Sequence, residues 1–588
     1  MINEAFYKTR KITDFKDMLK SSAVLFPMRP ALMGRDKNGE IYSITYRNLL
    51  NNVNALGTAL CSLGLKGEKI AVMGKNSPQW CCAYLSITCG TGVVVPMDKE
   101  LMPDDIAGII NAASCRALFF DKAAGEKLLE VKEKLPEDII LISLDGEINE
   151  ALSGESFDSL LKKGEELLNS GDKTFLEITP DPEALTSLIF TSGTTGNAKG
   201  VMLSARNICS DITAVSSVVK ITPEDRILSV LPLHHTYECT LSFLMLMYSG
   251  GCLCFCEGLR YIQRDMQQFE PTVFVTVPLM LEKFHARILK KVSEKKMGRF
   301  ALSLGKLAQS GGDGFVAGLT EKIFAEVKRQ FGGKLRLIIT GAAALNPEVA
   351  RDFKTFGLPV YIGYGLTECS PLVIGNNDRL QLPDSVGVPL PGVEAKINAP
   401  DVNGVGEIFV KGPMVMMGYY NNEEATKEVF TEDGWFKTGD MGTVDSENRF
   451  KIVGRCKNVI VTKNGKNIYP EEVEYYLNKN PFISESLVFG ADCDEADEGT
   501  RVEAKIFPDI SEIMAKFKNQ TPPTKEQVLK TISEVVKEVN KKLPKYKHIR
   551  RFDIRENEFI KTTTNKIKRH ANMHDEEDSK QEITKIKR

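Results

Sequence analysis

Along the first half of the chain, hydrophobic positions alternate between a helical period and short continuous runs. "ITYRNLLNNVNALGTALCSLG", residues 44–64, repeats its apolar positions every three to four residues behind a candidate cap at Thr45, which predicts a helix. "KIAVMG" follows as a strand. Ser77-Pro78 opens a second helix through "QWCCAYLSITCG", and "VVVPMD" is the strand after it. Pro103-Asp104-Asp105 starts a third helix ahead of the strand "RALFFD". Further along, Ile208, Ile212, Val215 and Val219 fall on one helix face, while "PTVFVTVP", "KLRLIITG" and "PVYIGYG" read as buried strands. Strands in alternation with helices predict an α/β fold of parallel sheets covered on both faces.

Near Gly387 the texture changes. "SVGVPLPGVEAKI", "GEIFVKGP" and "RFKIVGR" are short β segments with turns between them, as expected of a small β-barrel-like subdomain. After Arg455 come two alternating elements, "NVIVTKNGKNI" and "SESLVFG", and then a charged helix over residues 525–542. The chain therefore divides into a large N-terminal domain, residues 1–455, and a compact α+β domain, residues 456–588. Beyond about residue 571 the sequence is polar and without period, so a frayed tail is expected.

Composition narrows the class. At 588 residues more than one core is expected, and 42% apolar with 26% charged residues is the balance of a globular protein. Lys+Arg of 76 against Asp+Glu of 78 leaves a net charge of −2 and no electrostatic case for nucleic acid. The 13 cysteines form no CxxC pair and no zinc spacing. Cys81 and Cys82 are adjacent, and Cys252, Cys254 and Cys256 alternate as on one strand face, so reduced, buried thiols in a cytoplasmic setting are expected. The opening residues carry no signal-peptide core, and no stretch approaches the ~20 apolar residues of a membrane span. Peripheral membrane contact stays open. The most apolar segment, "TLSFLMLMYSGGCLCF", is interrupted by Gly250 and Gly251 and reads as core or pocket wall.

Candidate chemistry begins at "SLIFTSGTTGNAKGVMLS", residues 187–204. An apolar strand, Leu188 to Phe190, runs into six residues that are all Thr, Ser or Gly, and Lys199 follows. The spacing is not that of a Walker loop, which needs GxxxxGK and then Ser or Thr. Small hydroxyl residues and glycine still let backbone N–H groups close around an anion that Lys199 could neutralise. An ordinary polar β-turn has the same composition.

Companion motifs separate the two. "YGLTECSP" lies at 364–371, "WFKTGD" at 435–440, "VGR" at 453–455 and "KTTTNKIKR" at 561–569. In this order, behind "TSGTTGNAKG", they resemble the signature of the adenylate-forming superfamily. The resemblance covers the chain from about Thr45 to Arg569. "LPLHHTYE" at 231–238 and "EPTVFVTVPLMLEKF" at 270–284 are similar to long-chain fatty acid–CoA ligases. One departure is Asn565, where the family often has glycine before its C-terminal lysine.

The resemblance implies ATP-dependent activation of a fatty acid to acyl-AMP, then transfer to CoA, with Mg²⁺ as the metal. An acyl carrier protein as acceptor and a non-catalytic nucleotide- or lipid-binding member are the alternatives. It further implies that Thr191, Ser192, Gly193, Thr194, Thr195 and Lys199 hold the β- and γ-phosphates and Thr367 the α-phosphate. Thr191 and Glu368 would hold Mg²⁺ through oxygen ligands, which this cation prefers. Gly341, Ala342, Ala343, Tyr364, Gly365 and Ile452 would surround the adenine, with Asp440 and Arg455 at the ribose. Lys566 is the expected adenylation residue, carried on a mobile C-terminal domain that turns about a hinge at Lys457. Gly465 and Lys466 would face the CoA channel. His235, with His234, would position the carboxylate or gate the acyl pocket, and a structural histidine is the rival reading. Phe243, Met245, Leu246 and Met247 are either tunnel lining or plain core.

Overall fold

A computed structural model describes residues 4–147, 149, 152, 154–191, 199–294, 325–462, 466–492, 500–517, 521–561, 567–573 and 584–585. Local sequence chemistry explains the helix starts. Thr45 accepts a hydrogen bond from the Asn48 amide at the head of the helix Tyr46–Ser62, as its position predicts. Ser77 caps Pro78–Ser86 in the same way, with proline at the first turn, where its missing N–H has no helical partner to lose. Helix Pro103–Ala113 starts without a side-chain cap, leaving Asp104 and Asp105 to favour its N-terminus.

Two large sheets form the body. The eight-stranded sheet is parallel through Leu185–Thr191, Val93–Met97, Lys69–Met73, Ala117–Phe120, Ile140–Ser143 and Glu155–Ser156, in that spatial order. Lys199–Ser204 and Gly418–Tyr419 add an antiparallel edge. The nine-stranded sheet is parallel from Pro30–Arg35 across to Val360–Gly365; the antiparallel strand Ile41–Thr45 flanks one side, and Leu372–Gly375 followed by Val388–Pro389 flank the other.

Period-two burial decides which layer each side chain joins. Ile70 and Val72 face the central core, while Ala71 and Met73 face the outer one. Val273 and Val275 likewise face the centre, with Phe274 turned outward. The central core packs the helices Phe15–Leu25, Tyr46–Ser62, Pro78–Ser86 and Ala205–Val218 between the two sheets. Helices Pro103–Ala113 and Lys122–Val131 cover the far face of the eight-stranded sheet, and Ile262–Phe269, Pro278–Glu294 and Pro347–Thr355 cover that of the nine-stranded one. The apolar 240–255 segment is wall and core as read. Phe243, Met245, Leu246 and Met247 are fully buried, and Met245 lines a small cavity.

Strands Glu394–Asn398, Gly406–Lys411, Phe436–Val444 and Phe450–Arg455 form a four-stranded antiparallel sheet, which is the β subdomain. A bridge from Gly387 to Phe450 joins it to the body. Beyond it, Ile483–Asp492, Thr500–Pro508 and Arg551–Ile554 form a small sheet with helices Pro470–Asn478 and Lys525–Lys542, around a core of its own. The tail departs from the reading of a wholly frayed end. A short strand, Thr584–Lys585, pairs antiparallel with Arg551 and Phe552, because the outer edge of Arg551–Ile554 still offers backbone donors and acceptors. Among the described residues no helix is long and apolar enough to cross a membrane, and the described cysteines are all free thiols.

Candidate active site

In an open parallel α/β sheet, loops at the carboxyl ends of the strands converge on a crevice. The adjacent strands Leu337–Thr340 and Val360–Gly365 end there, delivering Gly341–Ala342–Ala343 from one and Tyr364–Gly365 from the other. Gly341 is buried and Ala342 and Ala343 are exposed, so this segment presents backbone rather than bulk. Ala342 has φ 67°, a left-handed conformation uncommon for alanine. Gly365 has no room for a side chain, since a Cβ there would sit 1.8 Å from the Pro371 carbonyl oxygen. That contact folds 366–371 into a tight turn, in which the Leu366 amide donates to the Pro371 carbonyl at 2.9 Å and the Ser370–Pro371 peptide is cis. Thr367 and Glu368 ride on this turn.

Asp440 is the centre of a second cluster. It is buried, accepts from the Tyr364 hydroxyl at 2.7 Å and pairs with Arg455 Nε at 2.8 Å. Asp440 and Arg455 are direct cross-strand partners, so the register of the four-stranded sheet places the pair. Burial, and then the neighbouring Asp440 charge, hold the Tyr364 phenol in its neutral, donating form. Ile452, on the same strand as Arg455, is half-buried opposite Gly442.

Thr191 and Lys199 face each other across the hairpin that carries the Ser/Thr/Gly loop, and the Thr191 hydroxyl lies 3.4 Å from the Lys199 carbonyl. The expected contributions of Ser192, Gly193, Thr194 and Thr195 fall outside the described residues. Lys199 Nζ sits 4.8 Å from the centre of the Tyr419 ring, and the Tyr419 hydroxyl donates to Glu368 at 3.0 Å. Tyr419 thus bridges the lysine of one motif to the glutamate of another. The sequence reading missed it, because Tyr419 reaches the site by pairing its short strand with Val201 and Met202 from a distant part of the chain.

The two histidines divide. His234 is buried, with Nε2 3.4 Å from an Asp98 carboxylate oxygen. His235 is less buried and tilts against it, ring centroids 4.0 Å apart. Asn76 fixes the loop below them, donating to the Leu231 carbonyl at 2.6 Å and accepting from the Leu233 amide at 3.1 Å. Beneath it, buried Glu238 accepts from Ser229 at 2.6 Å and Ser242 at 2.8 Å, and burial pushes its carboxyl up to about 8 despite those donors. Asp211, fully buried, lies 3.4 Å from the Leu372 amide behind the 366–371 turn, and burial raises its carboxyl well above the usual range. Both acids had a signal. Asp211 sits among apolar positions of its helix, and Glu238 lies two residues before the most apolar stretch of the chain.

Lys457 is exposed on a one-turn helix, Cys456–Asn458, between the four-stranded sheet and the C-terminal elements. Lys466 contacts the C-terminal region, with Nζ 4.7 Å from the Tyr546 ring and its backbone paired to Thr462. Gly465 and Lys566 lie outside the described residues. The frame around Lys566 is described. Lys561 and Ile567 form a β-bridge, and Arg569 donates to both Glu474 oxygens at 2.6 Å and to the Val488 carbonyl at 2.8 Å.

The AMP-binding enzyme family pattern matches residues 19–420, and the AMP-binding enzyme C-terminal domain pattern matches 457–585. This chain belongs to the AMP-binding enzyme family. It is 30% identical over 497 residues to the peroxisomal long chain acyl-CoA synthetase 6 of Arabidopsis thaliana, covering 80% of this chain and 70% of that protein. It is also 30% identical over 473 residues to the long-chain-fatty-acid–CoA ligase 6 of Mus musculus, covering 76% and 67%. Its fold matches the ATP-bound crystal structure of MatB from Rhodopseudomonas palustris with a TM-score of 0.73 at 23% identity, over 96% of this chain and 100% of that one.

The buried acid beneath the histidine loop gives a pH test. Glu238 ordinarily titrates at 4.5, and at about 8 in the fold. Between those values the unfolded chain has lost a proton that the folded chain keeps, so Glu238 costs stability as pH rises through this window. Glu238→Gln removes the titration and keeps hydrogen-bonding capacity. Urea midpoints measured from pH 5 to pH 8 are expected to fall more steeply for the wild type than for the variant. Parallel curves would refute a protonated Glu238.

Proposed function

We propose that this protein is an AMP-forming fatty acid–CoA ligase acting on long acyl chains. The observation that carries the reading is the convergence of Lys199, Glu368 and Asp440, from three separate motifs, on one edge of the two sheets. The relatives named above support CoA ligation and long chains.

A carboxylate is a poor acyl donor, and its attack on the α-phosphate of ATP brings an anion against a polyanion. Catalysis of that step rests on positive charge and positioning. In the proposed assignment Lys199 and the loop of Ser192, Gly193, Thr194 and Thr195 hold the β- and γ-phosphates, and Thr367 contacts the α-phosphate. Thr191 and Glu368 offer a hydroxyl and a carboxylate, a hard oxygen set suited to Mg²⁺. The Glu368–Tyr419 hydrogen bond orients that carboxylate toward the lysine side of the site. A bound Mg²⁺ would supply charge neutralisation on the phosphates. Asp440 has lone pairs beyond those used by Tyr364 and Arg455, enough to accept from a ribose diol. Gly341, Ala342 and Ala343 lie along the adenine, with Tyr364, Gly365 and Ile452 beside them, and His235 holds the carboxylate end of the fatty acid.

Lys566 is assigned to adenylation. The Arg569–Glu474 fork ties the residues that follow Lys566 to the C-terminal core, on which the lysine is proposed to ride. Turning about Lys457 would withdraw Lys566 and bring Gly465 and Lys466 toward the pantetheine arm of CoA. Motion here gates the second step and does not accelerate chemistry. Residues 1–455 and 456–588 are the two parts that turn. A cytoplasmic location remains part of this proposal, resting on reduced thiols.

AMP release assayed with a panel of fatty acids, first with CoA and then with an acyl carrier protein, tests the reading. Turnover with CoA supports it, turnover only with carrier protein reassigns the acceptor, and no turnover with either overturns it. The half-reactions are also expected to separate. Lys566→Ala should slow acyl-AMP formation by ~10²–10³ while leaving thioester formation from synthetic acyl-AMP near the wild-type rate. Lys457→Pro, which fixes φ and restricts the preceding residue, should spare adenylation and hinder thioester formation. Equal loss of both steps in a folded Lys566→Ala would contradict the two-position scheme.

A further inference from the structure

Between the central helix Ala205–Val218 and the nine-stranded sheet lies an apolar cavity of about 20 Å³. Its lining includes Val215, Val219, Met245, Ile339 and Tyr361. Thr340 and Gly363 also line it, next to the strand ends that carry Gly341 and Tyr364. Tyr361 lines it farther back along the sheet. Tyr361 and Tyr364 belong to one strand, Val360–Gly365, and their three-residue separation places Tyr361 about 10 Å back from the candidate active site.

The chain's own N-terminal segment closes that far end. The Tyr7 hydroxyl donates to one Asp378 carboxylate oxygen at 2.7 Å, and the Tyr361 hydroxyl donates to the other at 2.9 Å. The Lys220 amide, just past the central helix, donates to the same carboxylate at 2.8 Å. Asp378 therefore ties a cavity-wall tyrosine, the end of the helix and the N-terminal segment to one point. The Phe6 and Tyr7 amides both donate to the Ser217 carbonyl, at 2.8 and 3.0 Å. Arg379 lies 4.0 Å above the Phe6 ring, and Phe6 packs against the central core. Farther along, the Arg10 amide donates to the Tyr248 hydroxyl at 2.5 Å, and that hydroxyl donates to the Arg10 carbonyl at 2.9 Å. Residues 6–10 thus run as a strap across the back of the cavity.

A cavity of this volume holds about one water-sized group. A long acyl chain entering from the active-site end would press on Tyr361 and, through Asp378, on the strap. Taking the substrate to be a fatty acid, as proposed above, we infer that the strap is a displaceable stop on the acyl pocket. The Tyr7–Asp378–Tyr361 contact sets the chain length the enzyme uses. Chains that end short of Tyr361 leave the contact intact. Longer chains must break it, so its cost falls on them alone. Phe6 and Tyr7 are half-buried and held to the body by surface contacts rather than within the core, which suits a part that moves aside without unfolding it.

The test compares kcat/KM for CoA thioester formation from hexanoate, octanoate, laurate, palmitate and stearate. It uses full-length wild type, Tyr7→Phe and Tyr7→Ala. Tyr7→Ala is expected to leave the shortest acids within about twofold of wild type and to raise the longest. The gain should be roughly fourfold for each methylene that gains burial without displacing the strap. Tyr7→Phe keeps the ring and loses the bond to Asp378, so its profile should fall between the two. Equal changes at every chain length, or an unchanged profile with a lowered thermal midpoint, would overturn the inference and leave Tyr7 a structural residue. A wild type inactive on every fatty acid would instead refute the substrate class, and the stop with it.

Discussion

The buried carboxylate of Asp440 is the constraint around which the rest of the site is arranged. It belongs to the four-stranded sheet, yet one of its oxygens accepts from Tyr364, which ends a strand of the nine-stranded sheet. Its other oxygen pairs with Arg455, half-exposed and directly across the ladder. A buried carboxylate without partners would be costly, so the two sheets are held at the spacing that satisfies it. That spacing is what allows the 366–371 turn, which follows Tyr364, to approach Gly418–Tyr419 and the hairpin bearing Thr191 and Lys199. A nucleotide held there would meet the C-terminal ends of parallel strands on one side and a cross-strand ion pair on the other.

Charge then accounts for the division of labour. Lys199 and Glu368 belong to the body, with Tyr419 between them. The lysine assigned to adenylation sits instead on a part with its own core, joined to the body by the segment around Lys457. The Asn458 side chain donates to Glu471 at 2.5 Å, and Glu471 lies 3.7 Å from Arg569, so the frame around Lys566 and the junction share one network. In the proposed two-step scheme, a cation needed for the first step alone is best placed on a part that can leave.

Sequence periodicity foretold most of the body, because buried parallel strands and amphipathic helices leave strong local patterns. Thr45, Ser77 and the 525–542 helix lie where local chemistry placed them. The motif residues were legible as a set, and the structure brings Thr191, Lys199, Glu368, Tyr364, Asp440 and Arg455 together through contacts that no local signal contains. What escaped are residues that act by tertiary pairing. Tyr419 is one aromatic in "MMGYYN", and only strand pairing brings it under Lys199. Asn76, Asp98 and Asp378 are single polar residues in loops, whose partners lie far away in the chain. The tail was read as wholly frayed because pairing of Thr584–Lys585 depends on an open sheet edge, which composition does not encode.

If the account is right, Asp440 governs the nucleotide and the fatty acid must be adenylated before CoA is needed. Fatty-acid-dependent exchange of labelled pyrophosphate into ATP, with CoA omitted, measures this most directly for wild type and Asp440→Asn. The account predicts exchange by the wild type and a fall of at least ~10² in the variant, with a cooperative unfolding transition retained. Exchange by Asp440→Asn at the wild-type rate, or none by the wild type with any fatty acid, would contradict it.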